Sequence, residues 1–206
     1  MKKENRLLTI DGETLMSQTL TPLNFVVDTL IAQGLHILAG SPKVGKSWLA
    51  LWLAVTVAKG EPVWNMATKR GHTLYLCLED SVLRIQNRLF EITEDAPESV
   101  HFCTECATIG QGLEEQIETF SAEHPGMVLV IIDTLQKVRE IGGDRYSYAS
   151  DYEIVTKLKT FSDRYGICLL VVHHTRKMEA EDSFDMISGT NGLLGAADGA
   201  FIMQKK

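Results

Sequence analysis

The stretch Gly40-Ser41-Pro42-Lys43-Val44-Gly45-Lys46-Ser47 constrains this chain more than any other. It fits G-x-x-x-x-G-K-[ST], the phosphate-cradling loop. Leu35-His36-Ile37-Leu38-Ala39 precedes it, an apolar run of the length of a buried strand. Trp48 to Ala58 follows as an apolar helix that Gly60 and Pro62 would stop. Strand, glycine loop and helix together turn the pattern into a phosphate site. Gly40 and Gly45 let the backbone turn its N–H groups inward, and the helix start adds the positive end of its dipole. Lys46 is expected to reach the β- and γ-phosphates of a nucleotide, and Ser47 to hold Mg²⁺. The expected nucleotide contacts are Gly40, Ser41, Pro42, Lys43, Val44, Gly45, Lys46, Ser47 and the adjoining Trp48. Tryptophans at such places are more often core, however, and Trp48, Trp52 and Trp64 are read that way first.

The rest of the chain supplies a frame for that loop. Thr73–Leu78 reads as a buried strand ending on Glu79-Asp80, with a helix to Phe90 that Asp80 or Ser81 would cap. Val100–Cys103 is a short strand and Leu113–Ala122 a polar-faced helix. Met127 to Ile132 is apolar throughout and ends on Asp133. A loop with Gly142 and Gly143 leads to a helix over Tyr148–Tyr165, then Ile167–Val172 runs into His173-His174. A charged loop, Thr175 to Asp185, comes next, and Gly199–Gln204 reads as a last strand. Continuously apolar strands alternating with helices predict an α/β fold, a mostly parallel central sheet with helices on both faces. In such sheets ligands bind at the carboxyl ends of the strands. The loop, Glu79, Asp133 and the two histidines all fall there.

Each of these residues suggests a task. Asp133 stands where a Walker B carboxylate belongs and would hold Mg²⁺ opposite Ser47. Glu79 would orient and deprotonate an attacking water, while Thr134 reads as part of a helix cap. His173 or His174 would sense the γ-phosphate, and the sequence does not choose between them. Lys137, Arg139 and Arg145, with Arg176 and Lys177, could track the backbone of single-stranded nucleic acid or serve as solvated charge.

Composition narrows the field. The 206 residues suit one domain, 1–206, with residues 1–24 as a lead-in; residues 24–34 should pack beside the first core strand, Gly34 forming the turn. Net charge is −7, which argues against a surface built wholly for duplex DNA. No apolar run is long enough for a membrane span and no signal-peptide core follows the start, so a cytoplasmic protein is expected. Cys77 and Cys168 lie in apolar runs. Cys103-x-x-Cys106 near His101 lacks the second pair that a zinc site would need, so core and loop roles are favoured.

Taken together, Gly40–Ser47, Leu76-Cys77-Leu78-Glu79-Asp80 with Arg84 and Arg88, Ile131–Leu135 and Val171–Lys177 resemble the RecA-like P-loop ATPases. Within them the chain looks most like the RepA-like hexameric replicative helicases of plasmids and phages, from Phe25 onward. Ile187–Gly192 and Ala197-Asp198-Gly199 share in the likeness. The resemblance implies ATP hydrolysis at the subunit interfaces of a homo-oligomeric ring, with Lys46, Glu79, Asp133, His173 and His174 as the catalytic set. ATP and Mg²⁺ are the implied cofactors and single-stranded DNA an implied partner. A basic residue past the last strand, Lys205 or Lys206, would act on the neighbour's ATP. Such cores usually carry further strands, so a truncated core is one expectation. A nucleotide-gated regulator or scaffold ATPase is the alternative. A small-molecule kinase fits poorly, because no arginine-rich lid follows the core.

Overall fold

A computed structural model describes residues 7–20, 22–139, 148–175, 187 and 192–205, without the side chains of 148–151 and 192. Eight strands and seven helices are assigned among them. The strands are β1 (Phe25–Val27), β2 (Ile31–Ala32), β3 (Gly34–Gly40), β4 (His72–Cys77), β5 (Val100–Cys103), β6 (Met127–Asp133), β7 (Cys168–His174) and β8 (Gly199–Met203). The helices are α1 (Gly12–Ser17), α2 (Lys46–Lys59), α3 (Val82–Ile92), α4 (Leu113–Glu123), α5 (Leu135–Val138), α6 (Tyr148–Tyr165) and α7 (Gly192–Ala196).

Six strands form one sheet in the order β5-β4-β6-β7-β3-β8, every pair parallel. Parallel strands must be joined by crossovers, and the intervening helices cover the faces. Side chains alternate between those faces along each strand. Leu38, Tyr75, Leu129, Ile131, Leu170 and Val172 pack with α2 residues such as Ala50, Leu51 and Ala54. Ile37, Leu76, Ile132 and Val171 point the other way, against Leu113 and Ile117 of α4 and Leu158 and Phe161 of α6. With both faces covered, the strands need no polar side, which is why β6 is apolar up to its last residue. Each Leu or Ile buried this way contributes roughly 1.5–3 kcal/mol.

The predicted frame holds, with corrections at its edges. Residues 25–32 form a separate antiparallel hairpin, held to the 61–70 connection by Asp28 N–H to Ala67 O at 2.8 Å and Lys69 N–H to Val26 O at 2.9 Å. Gly34 does make the turn, at φ +115°. Among the described residues of the lead-in, Leu7, Leu8, Met16 and Leu20 are exposed and α1 buries no residue, so this part does not pack on the body. Trp48 and Trp64 are not core either, being 39% and 61% exposed; Trp52 packs against the core only at its margin. Ser81, not Asp80, caps α3. Gly142, Gly143, Arg145, Arg176, Lys177, 188–191 and Lys206 lie outside the described residues.

Candidate active site

The P-loop is shaped by backbone that few residues adopt. Lys43 has φ +64° and Gly45 φ +111°, so successive peptide groups turn before α2 begins. Gly45 is the residue before α2 and offers no side-chain cap, leaving the first N–H groups of the helix without that partner. A Cβ at Gly40 would lie 2.5 Å from the carbonyl oxygen of Met203 on β8, which leaves only glycine room there. The geometry is that of an anion cradle.

Parallel register then places the polar residues side by side. Gly40 pairs with His174, Ala39 with His173, Val172 with Asp133 and Asp133 with Cys77, two residues before Glu79. Four strands of different sequence position thus end at one rim.

Lys46 is almost wholly buried and donates from Nζ to the carbonyls of Gly40 at 2.7 Å and Ser41 at 3.0 Å. It also lies 3.2 Å from His174 Nδ1. An ammonium group only donates, so Nδ1 accepts and the ring proton sits on Nε2. That Nε2 stands 3.9 Å from Glu79 Oε2. Glu79 Oε1 in turn accepts from the Thr134 hydroxyl at 3.2 Å. The chain Lys46–His174–Glu79–Thr134 therefore crosses the sheet from β3 to β6. His173 is half-buried, in register with Ala39 on β3.

Asp133 is 4% exposed. Burial pushes its carboxyl above the ordinary carboxylate range, opposed by hydrogen bonds from Ser47 and Tyr75, while Glu79 and Asp80 add to the upward push. Burial likewise pushes Lys46 below its usual range, with Asp133 and Glu79 pulling it back. Both shifts express the same situation: charges held out of water and dependent on one another. The pairing of Ser47 with Asp133 brings a hydroxyl and a carboxylate together, a donor set of hard oxygens that suits Mg²⁺.

Two features of the site escape sequence reasoning. Tyr75 hides in an apolar strand, yet its hydroxyl donates to Asp133 Oδ2 at 2.8 Å. Asp80 has the appearance of a helix cap in sequence, yet it is the anchor for Arg84 at 3.0 Å and for Arg88 in a tighter contact. Arg88 then lies over the ring of Trp48, 5.3 Å from its centroid. The spacing Asp80, Arg84, Arg88 at i, i+4, i+8 was the signal for that ladder. Thr134 opens α5 without a side-chain cap, because its hydroxyl goes to Glu79. Among the described residues no group of three or more histidine, cysteine or carboxylate side chains is set to hold a metal ion, and Cys103, at the end of β5, and Cys106 are half-buried free thiols.

A parallel sheet with a glycine loop at one strand end, and acidic residues at two others, defines a RecA-like P-loop ATPase domain. The chain belongs to the AAA domain family, whose model matches residues 2–180. The ATPase domain of G40P is similar in structure, with a TM-score of 0.67 at 13% identity over 84% of this chain and 70% of that one. A DnaB-like replicative helicase, from a structure of that protein and its interactions with primase, gives a TM-score of 0.62 at 15% identity. That match covers 82% of this chain and 46% of the other, so the chain spans just under half that helicase's length. At these identities the likeness is one of fold. No curated protein matches the sequence.

Proposed function

We propose that this domain binds Mg²⁺-ATP in the crevice above β3, β7, β6 and β4, hydrolyses it, and serves as the motor unit of a replicative-helicase-type ring. The observation that carries the reading is the contact chain from Lys46 through His174 to Glu79, with Asp133 beside it. The N–H groups of Gly40–Ser47 hold the phosphates. Lys46 exchanges its two loop carbonyls for the β- and γ-oxygens, which restores a full-strength ion contact to a buried ammonium. Ser47 and Asp133 would hold Mg²⁺, whose charge offsets that of the phosphates. Glu79 is half-exposed, so water reaches it, and its carboxylate orients that water for in-line attack. The His174 contacts with Lys46 and Glu79 support that ring as the proposed sensor of the γ-phosphate. Trp48 with the Arg88 guanidinium over it flanks the loop beyond Ser47. Lys205, exposed just after β8, is a candidate to reach a neighbouring subunit's nucleotide.

The helicase part of the reading draws on the structural neighbours, one described as the ATPase domain of G40P and the other as a DnaB-like replicative helicase. Single-stranded DNA and further copies of the chain are the partners proposed. Among the described residues no helix is long and apolar enough to cross a membrane, and we propose a cytoplasmic location. The net charge of −7 favours a second reading, a nucleotide-gated regulator that does not move along DNA. ATPase rate with and without single-stranded DNA, run beside native mass measurement, separates them. A motor shows stimulated turnover and oligomers; slow turnover indifferent to DNA favours the regulator.

A further inference from the structure

Tyr75 raises a question of chemistry. It sits in β4 at 1% exposure, with its ring among Leu51, Leu129 and Phe102 of the same core layer. A phenylalanine would fill that space without the cost of taking a hydroxyl out of water. A buried hydroxyl is tolerated only where it has a partner. Here the partner is the Asp133 carboxylate, at 2.8 Å, and the Ser47 carbonyl lies at a longer 3.4 Å. The phenol thus reaches both the helix start that carries Ser47 and the strand end that carries Asp133.

We infer that Tyr75 is a positioning residue, which through its hydrogen bond to Asp133 Oδ2 fixes the carboxylate for Mg²⁺ held jointly with Ser47. This rests on the metal role given above to Asp133 and Ser47. Two facts support it. A phenol has one proton to give, and the shorter distance assigns it to Asp133. With Oδ2 occupied by Tyr75, the remaining lone pairs of Asp133 are the ones left for Ser47 and a cation. Outer partners of this kind orient metal-binding carboxylates and typically change metal affinity about 10–100-fold when removed.

The test is Tyr75→Phe, which removes one oxygen and keeps the ring. The readouts are the affinity for a fluorescent ATP analogue in EDTA, the same affinity across a Mg²⁺ titration, and thermal stability. Thr73→Val is the control: Thr73 is a fully buried hydroxyl on the same strand, bonded to Ala54 O at 3.1 Å, away from the site. The expected result is that Tyr75→Phe raises the Mg²⁺ concentration for half-maximal effect about 10-fold while EDTA affinity is unchanged. Thr73→Val should lose stability with no change in the Mg²⁺ titration. If Tyr75→Phe loses stability but titrates with Mg²⁺ like the wild type, the hydroxyl is a core contact and the inference fails. Asp133→Asn separates this from the underlying reading. A shifted Mg²⁺ titration in Asp133→Asn but not in Tyr75→Phe removes Tyr75 alone. An unshifted one in Asp133→Asn removes the metal role and the inference with it.

Discussion

The two ends of the central sheet both carry polar clusters, and they differ in kind. At the carboxyl end, Lys46, Glu79, Asp133 and His174 bring opposite charges from four elements to a loop of inward-turned backbone. At the amino end, His72, His101 and His124 gather with Phe120. His72 Nδ1 is 3.1 Å from His101 Nε2, and His124 stacks on Phe120 with centroids 4.0 Å apart. That second cluster joins like groups to one another, and His124 is further tied to Phe120 O. Its members satisfy each other. The first cluster joins unlike charges, in contacts that the proposed function would exchange for a ligand. Convergence of unlike charges on a loop of turned backbone, more than the number of polar residues, distinguishes this candidate site from a polar packing contact.

The largest effects should come from breaking the carboxyl-end network. Glu79→Gln keeps the shape and removes the proposed base, so turnover should fall roughly 10²–10⁴-fold while nucleotide affinity stays within about threefold. Steady-state ATPase and analogue binding, measured on the same preparation, check the split. Lys46→Ala should cost both steps, with turnover down about 10²–10³-fold and binding weakened, because the removed charge acts on ground state and transition state alike. His72→Ala at the other end should leave turnover unchanged. A comparable loss there would erase the distinction drawn between the clusters.

Glycines at the two ends sharpen the contrast. A Cβ at Gly40 would meet Met203 O at 2.5 Å, and one at Gly71, next to His72, would meet Gly126 O at the same 2.5 Å. Each Gly→Ala change forces backbone apart and should destabilise by roughly 1–3 kcal/mol, lowering the melting temperature by about 2–10 °C. The steric cost is alike, yet Gly40→Ala should also abolish nucleotide binding, whereas Gly71→Ala should spare it in the folded fraction. Calorimetry and analogue titration on both variants make the comparison.

Much of the carboxyl-end site was legible in sequence because its residues terminate apolar strands. A polar residue after Ile131-Ile132, or after Val171-Val172, breaks a pattern and stands out. Parallel register then gathers strand ends, whatever separates them along the chain. Tyr75 was not legible, since an aromatic residue in a strand fits the apolar pattern and only three-dimensional pairing reveals its hydroxyl's partner. Sequence leaves the cap open between Asp80 and Ser81, because both are good caps, and the ladder to Arg84 and Arg88 engages the first of them. Residue type, and for Trp48 its place in the P-loop helix, argue for the core at Trp48 and Trp64, but both set an average and not a position. The amino-end histidines gave no signal: they lie one to a segment, and only the Leu74–His101 register and the end of α4 bring them together.

Histidine titration gives the smallest expected effect and probes the polar groups outside the carboxyl-end network. Burial pushes His36, in β3 at 5% exposure, below the usual imidazole range, with its Ala32 hydrogen bond and Asp198 opposing and Lys159 adding. His101 moves the same way, by burial first and then by His124 and His72. Both groups are therefore harder to protonate in the folded chain than in the unfolded one. Above the unfolded value of about 6.5 neither state binds a proton and stability is full. As pH falls below that value the unfolded chain takes up protons that the folded chain refuses. Stability then declines until the lowered folded pKa is passed, at a limiting slope of about 1.4 kcal/mol per pH unit for a fully buried group. Denaturant midpoints between pH 8 and pH 5 should show this decline. His36→Gln should flatten it, and His101→Gln should flatten it less, because His101 is the more exposed ring. An equal effect of the two would mean that mutual repulsion among the clustered histidines, and not burial, sets the acid limit of the fold.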